Sequence, residues 1–129
     1  MINEQLNELQ VVIASGPEAI DRAVLGFAFA LSAVTSDIKV SIILALEGTA
    51  WMDRDIPAAE QSINGFQPIR DYMNILEDYD VVIRLCSSCV ENNCALADAC
   101  KSTATTVSYV GMTEVAIKTA NGTAQTVVF

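Results

Sequence analysis

The sequence predicts an α/β fold: a mostly parallel five-stranded sheet with helices on both faces. Short apolar runs alternate with stretches of helical periodicity, the pattern of a covered parallel sheet. The run Asp37 to Leu46 (DIKVSIILAL) is nearly continuous in Val, Ile and Leu, as a strand buried on both faces should be. The chain has 129 residues, 52% of them hydrophobic, which is enough for one domain (1–129) with a real core. Repeats, low-complexity tracts and linkers are absent from it.

Each element has its own signal. Leu9 to Ser15 (LQVVIAS) reads as the first strand, ended by Gly16-Pro17, and Pro17 suits the first turn of a helix. That helix continues through Ile20, Ala23, Val24, Phe27 and Leu31 at spacings of three and four. Asp37 to Leu46 is the second strand, and Glu47-Gly48-Thr49 opens a loop running through Trp51-Met52-Asp53-Arg54-Asp55. Pro57 to Asn64 has room for a short helix closed by Asn64-Gly65, and Pro68 to Glu77 places Ile69, Tyr72, Met73 and Leu76 on one side of another. Asp80 to Leu85 is the third strand. Glu91 to Lys101 follows as a helix with Ala95, Leu96 and Ala99 towards the core. Thr105 to Val110 is the fourth strand, Thr113 to Ala120 a short helix stopped by Asn121-Gly122, and Gln125 to Phe129 the last strand.

Composition excludes several functions. Sixteen acids against seven bases give a net charge of −9, which repels a phosphate backbone, so nucleic acid is not an expected partner. With no histidine, Cys-His and Ser-His pairs and every histidine-containing metal site are ruled out. Mean hydropathy is high at +0.38. Yet the longest strongly apolar stretch, Ala23 to Val34, is about twelve residues, short of the roughly 20 that span a bilayer. No basic segment of a signal peptide precedes it, so the expectation is a cytoplasmic protein without a membrane partner. That stretch is apolar almost all round the helix, which points to subunit contacts as well as to the sheet.

Chemistry is concentrated in Cys86, Cys89, Cys94 and Cys100. In a chain without an export signal these suit catalysis, redox chemistry or metal binding better than a disulfide framework. Cys86 stands at the carboxyl end of the third strand, where open α/β sheets place their sites. Cys86-Ser-Ser-Cys89 is a CxxC, and Ser87 or Ser88 can cap the helix that follows, aiming amide N–H groups at the Cys86 sulfur and favouring its thiolate. Arg84 shares a strand face with Cys86. Four thiolates are also a ligand set for zinc or an iron–sulfur cluster. However, only one CxxC knuckle is present, and Cys94 and Cys100 on one regular helix would lie about 240° apart in projection. Cys100, and with less force Cys94, otherwise read as small core residues.

Other positions carry weaker signals. Ser15 and Gly48 lie at strand carboxyl ends, where they should border the same crevice as Cys86, although Ser15 reads rather as ordinary turn chemistry. Trp51 and Met52 suggest a contact surface or a flap over the cysteine. Asp53 and Asp55 read as solvated charges, and Tyr109 as either a pocket or a packing residue. No GxGxxG or Walker-type loop is present, which argues against nucleotide binding.

The order of features resembles the DsrE/DsrF-like sulfur-handling proteins, which include the TusBCD-type sulfur relay subunits. The likeness rests on Val11-Val-Ile-Ala-Ser-Gly-Pro-Glu-Ala-Ile-Asp-Arg-Ala-Val-Leu25 and on the second strand with its Glu47-Gly48 loop. It also rests on Ile83-Arg-Leu-Cys86-Ser-Ser-Cys89 and on the terminal strand ending Val127-Val-Phe129. The resemblance implies a three-layer α/β/α fold and a homo- or hetero-oligomer, often a trimer or hexamer. It further implies a persulfide-bearing cysteine, which falls on Cys86, with protein sulfur donors and acceptors and no cofactor. Where many members carry Arg-Gly, this chain has Asn93-Cys94, which brings a third thiol close to the site. The expected function is thus a sulfur carrier or sulfurtransferase using Cys86 and Cys89, with Cys94, Ser87, Ser88 and Gly48 as auxiliary positions. The alternatives are a CxxC redox or cysteine-ligated zinc or iron–sulfur protein, and a non-catalytic oligomer subunit.

Overall fold

The structure, a computed structural model, describes residues 8–91 and 108–129. Its strands are β1 (Glu8–Ile13), β2 (Val40–Leu44), β3 (Val82–Cys86), β4 (Ser108–Val110) and β5 (Ala124–Val128). They form one sheet in the order β4-β3-β2-β1-β5, and every pairing is parallel. Its α-helices are α1 (Ile20–Thr35), α2 (Ile69–Asp78), α3 (Ser87–Glu91) and α4 (Met112–Ala120).

Alternation along the strands sorts the core into two layers. On one face Val11, Ile13, Ile42, Leu44 and Leu85 meet Ala23, Val24, Phe27 and Ala30 of α1 and Tyr72, Met73 and Leu76 of α2. On the other, Val12, Ile43, Cys86 and Val110 meet Val115 of α4. The fold is therefore three-layered. β1 and β2 are inner strands, apolar throughout towards α1 and α2 and apolar towards α4 at their carboxyl ends, through Val12 and Ile43.

Where boundaries differ from expectation, backbone conformation is the reason. Asp37 and Asp80 have φ of 64° and 61°, so they complete the turns after α1 and α2, and their strands start later. Asp tolerates this left-handed region because its short polar side chain bonds locally. Pro17–Ala19, Leu46–Met52 and Pro57–Glu60 are 3-10 turns rather than α-helix or open loop. Asn64 and Gly65 both have positive φ, the geometry of a tight hairpin turn, and join Ile63 to Phe66 across an antiparallel bridge. Of the expected helix Glu91 to Lys101, all but Glu91 lies outside the described residues, as do Thr105 to Val107 of the expected fourth strand.

The apolar helix α1 is only partly absorbed by the core. Leu25 and Phe29 stay well exposed one turn apart, and the Phe29 ring lies 5.4 Å from that of Phe129. Among the described residues, no helix is long and apolar enough to cross a membrane.

Candidate functional site: a thiol pair at the end of β3

The carboxyl ends of β1, β2 and β3 are tied together by close backbone contacts. The Gly48 N–H donates to Ala45 O at 2.8 Å and to Ala14 O at 3.2 Å. A Cβ at Gly48 would overlap the Ile13 carbonyl oxygen, so only glycine fits there. A Cβ at Gly16 would likewise overlap the Glu47 carbonyl oxygen. The Trp51 indole N–H donates to Ser15 O at 2.8 Å, and Thr49 Oγ1 donates to Leu46 O at 2.7 Å. Trp51 is therefore a core residue, fully buried, and neither a flap nor a contact surface; Met52 packs against the same core. An indole whose N–H finds a carbonyl can be buried whole, and this one staples the two loops.

Cys86 is the last residue of β3, opposite Val110 of β4, and α3 begins at the next residue. Strand parity turns Cys86 into the α4 layer, where it is only 3% exposed. Cys89, one turn into α3, is half-buried and packs against that layer. Both cysteines are free thiols, and Cys89 packs against the layer that contains Cys86. Ser87 is half-buried and Ser88 exposed beside them.

Cys89 receives a backbone N–H from across the loop: the Leu46 amide donates to its Sγ at 3.2 Å. Burial pushes the Cys89 thiol above its ordinary range, the Leu46 N–H opposes this, and the adjoining Cys86 sulfur adds to the rise. Leu46 adopts a φ of 50°, and its side chain is 67% exposed. Among the described residues the other positive-φ residues besides glycine are Asp37, Asn64 and Asp80, so a leucine there is an outlier.

Arg84 shares the Cys86 face, but its guanidinium reaches α4, with Nη1 3.1 Å from Glu114 Oε2. It is anchored away from the thiols, and its buried Nε has no partner among the described residues. Asp53 accepts from the Asp55 N–H at 3.0 Å, while Arg54 between them pairs with Glu77 at 2.5 Å. Tyr109 is half exposed on β4. Cys94 and Cys100 lie outside the described residues. Among the described residues, no three His, Cys, Asp or Glu side chains cluster as metal ligands would. The structure thus brings together Cys86, Cys89, Ser87, Ser88 and the Gly48 loop. The participant the sequence concealed is Leu46, because a main-chain donor leaves no trace in residue type.

A parallel three-layer α/β domain with two thiols at the carboxyl end of an inner strand defines the class. The chain belongs to the DsrE/DsrF-like family, whose model matches residues 8–128. Among solved structures it is similar to the ychN protein from E. coli, with a TM-score of 0.57 at 18% identity over 95% of this chain and 99% of that one. That likeness is one of fold. Comparison with curated proteins gives no match.

Proposed function

We propose that this protein is a sulfur carrier or sulfurtransferase that holds sulfane sulfur on Cys86 as a persulfide. Members of its family generally work in sulfur relay with partner proteins. The observation that supports the reading here is the pair of free thiols at the end of β3, with Cys89 packed against the layer that holds Cys86. A thiolate of the pair attacks the outer sulfur of a donor persulfide, R–S–SH; the new S–S bond forms as the donor's S–S bond breaks, and R–SH leaves. An acceptor thiolate then attacks the outer sulfur of the carrier and regenerates the thiol. Such exchange needs an accessible sulfur and a leaving thiol that can bear charge. The donor and acceptor are proteins, the working unit is one domain in an oligomer, and the exposed Leu25–Phe29 face of α1 is available for subunit contact.

Intact-mass spectrometry after incubation with a persulfide donor tests the reading. The expected product gains one sulfur atom and loses it to reductant, and Cys86→Ser no longer retains it stably. A wild-type protein that never gains sulfur overturns the proposal. The same thiol pair favours a second reading, a Cys86–Cys89 dithiol–disulfide couple. That reading predicts loss of two hydrogens on oxidation and no sulfur gain.

A further inference from the structure

We propose that Cys89 is the port through which sulfur enters and leaves, that Cys86 is the internal store, and that the Leu46 amide stabilises the Cys89 sulfur during transfer between them. This rests on the sulfur-carrier reading and adds the route that sulfur takes.

Three observations carry it. Cys86 is 3% exposed, so a donor protein cannot bring a persulfide onto it without moving β3 or its cover, whereas Cys89 is reachable from outside. Cys89 packs against the buried layer that contains Cys86, and the two lie within one helical turn of each other, so the thiols are neighbours. The Leu46 N–H already points at Cys89 Sγ, held there by a left-handed backbone that a leucine adopts only under constraint. Such strained residues cluster at functional sites, and the Gly48 and Trp51 contacts just beyond fix this one in place.

The internal step balances without an oxidant. Cys89 first accepts sulfur from the donor and becomes Cys89–S–SH. Cys86, as thiolate, attacks the outer sulfur; the Cys86 S–S bond forms and the Cys89 S–S bond breaks. Cys86–S–SH and the Cys89 thiolate result, and the proton given up by Cys86 is regained at Cys89. Charge develops on the departing Cys89 sulfur, where the Leu46 amide donates, the placement that lowers a barrier by preorganised hydrogen bonding. Export runs the same steps backwards. Storage on the buried thiol keeps the persulfide away from solvent reductants.

Glutathione persulfide serves as the probe, with timed alkylation and fragmentation of the peptide holding both thiols. In the wild type the extra sulfur should appear on Cys89 before Cys86. Cys86→Ser should trap it on Cys89 and lose it to dithiothreitol faster than the wild type does. Cys89→Ser, whose hydroxyl can still accept the Leu46 N–H, should load Cys86 at least about tenfold more slowly. Loading of Cys86 in that variant at the wild-type rate overturns the route, as does a wild-type time course with Cys86 labelled first. A Cys86–Cys89 disulfide with released sulfide also overturns it, in favour of Cys89 as a resolving thiol. No extra sulfur on either residue overturns the carrier reading itself. Because the wild-type labelling order is informative alone, a variant that fails to fold does not remove the test.

Discussion

The two faces of the sheet are built for different purposes. Towards α1 and α2 the strands send Val11, Ile13, Ile42, Leu44 and Leu85, and the helices and the loop after β2 answer with Phe27, Met73, Leu76 and Trp51, all fully buried. Towards α4 the same strands send Glu8, Gln10 and Arg84 beside Val12, Ile43 and Cys86. Gln10 is buried and donates to Val115 O at 3.2 Å and Thr126 Oγ1 at 3.0 Å, while Glu8 pairs with Lys118 and Arg84 with Glu114. One face is an apolar layer and the other a directional, hydrogen-bonded one. The thiols belong to the second. Dispersion and burial stabilise without specifying orientation, whereas polar contacts fix where α4 sits over β1 and β3.

If that division is right, truncations on the two faces should differ. Phe27→Ala should cost about 4 kcal/mol and Val115→Ala about 2 kcal/mol, read from denaturant midpoints at constant slope. Equal costs would erase the distinction. Gly48→Ala drives a methyl into the Ile13 carbonyl, so a loss of about 3 kcal/mol is expected. It should also raise the alkylation rate of Cys89, because the Leu46 loop must shift. Gln10→Ala removes a buried donor, but Val115 O and Thr126 Oγ1 each keep Thr119 Oγ1 as a partner, so a cost of about 1 kcal/mol is expected. A neutral outcome would mean that the polar layer contributes little.

The pH effects are smaller and opposite in character. Burial alone would raise the Glu8 carboxyl, but hydrogen bonds from Ser41 and Lys118, with the charges of Lys118 and Lys39, outweigh it and hold the group below its ordinary range. A depressed carboxylate contributes stability that is present above its unfolded pKa and lost as pH falls through the folded one. Acid unfolding should therefore show a Glu8 contribution below the ordinary carboxylate range, and Glu8→Gln should remove it. The Cys89 thiol is raised, so its alkylation rate should still climb at pH values where a free thiol has levelled off. A profile matching a free cysteine would argue against the burial and sulfur contact described for it.

Much of this was readable in the sequence because its causes are local. Continuous Val-Ile-Leu runs announced β1 and β2, spacings of three and four announced α1 and α2, and Cys86 emerged at the end of β3 as expected. Less legible were the points where distant segments meet. Trp51 stands in an acidic stretch that looks solvated, yet Ser15, 36 residues earlier, supplies the carbonyl that lets it sink into the core. Arg84 shares a face with Cys86 by strand parity, but Glu114 draws it away.

The same boundary separates what the sequence alone determined from what only tertiary structure decided. Periodicity and punctuation determined an α/β chain of five strands and put a CxxC at the end of the third. They also placed both thiols within one turn, which is a matter of covalent spacing. Which thiol faces outward, and that Cys89 receives the Leu46 amide, was decided by the packed sheet. Exposure depends on what covers a side chain, and the donor to Cys89 comes from Leu46, 43 residues away, through a backbone angle that leucine does not advertise.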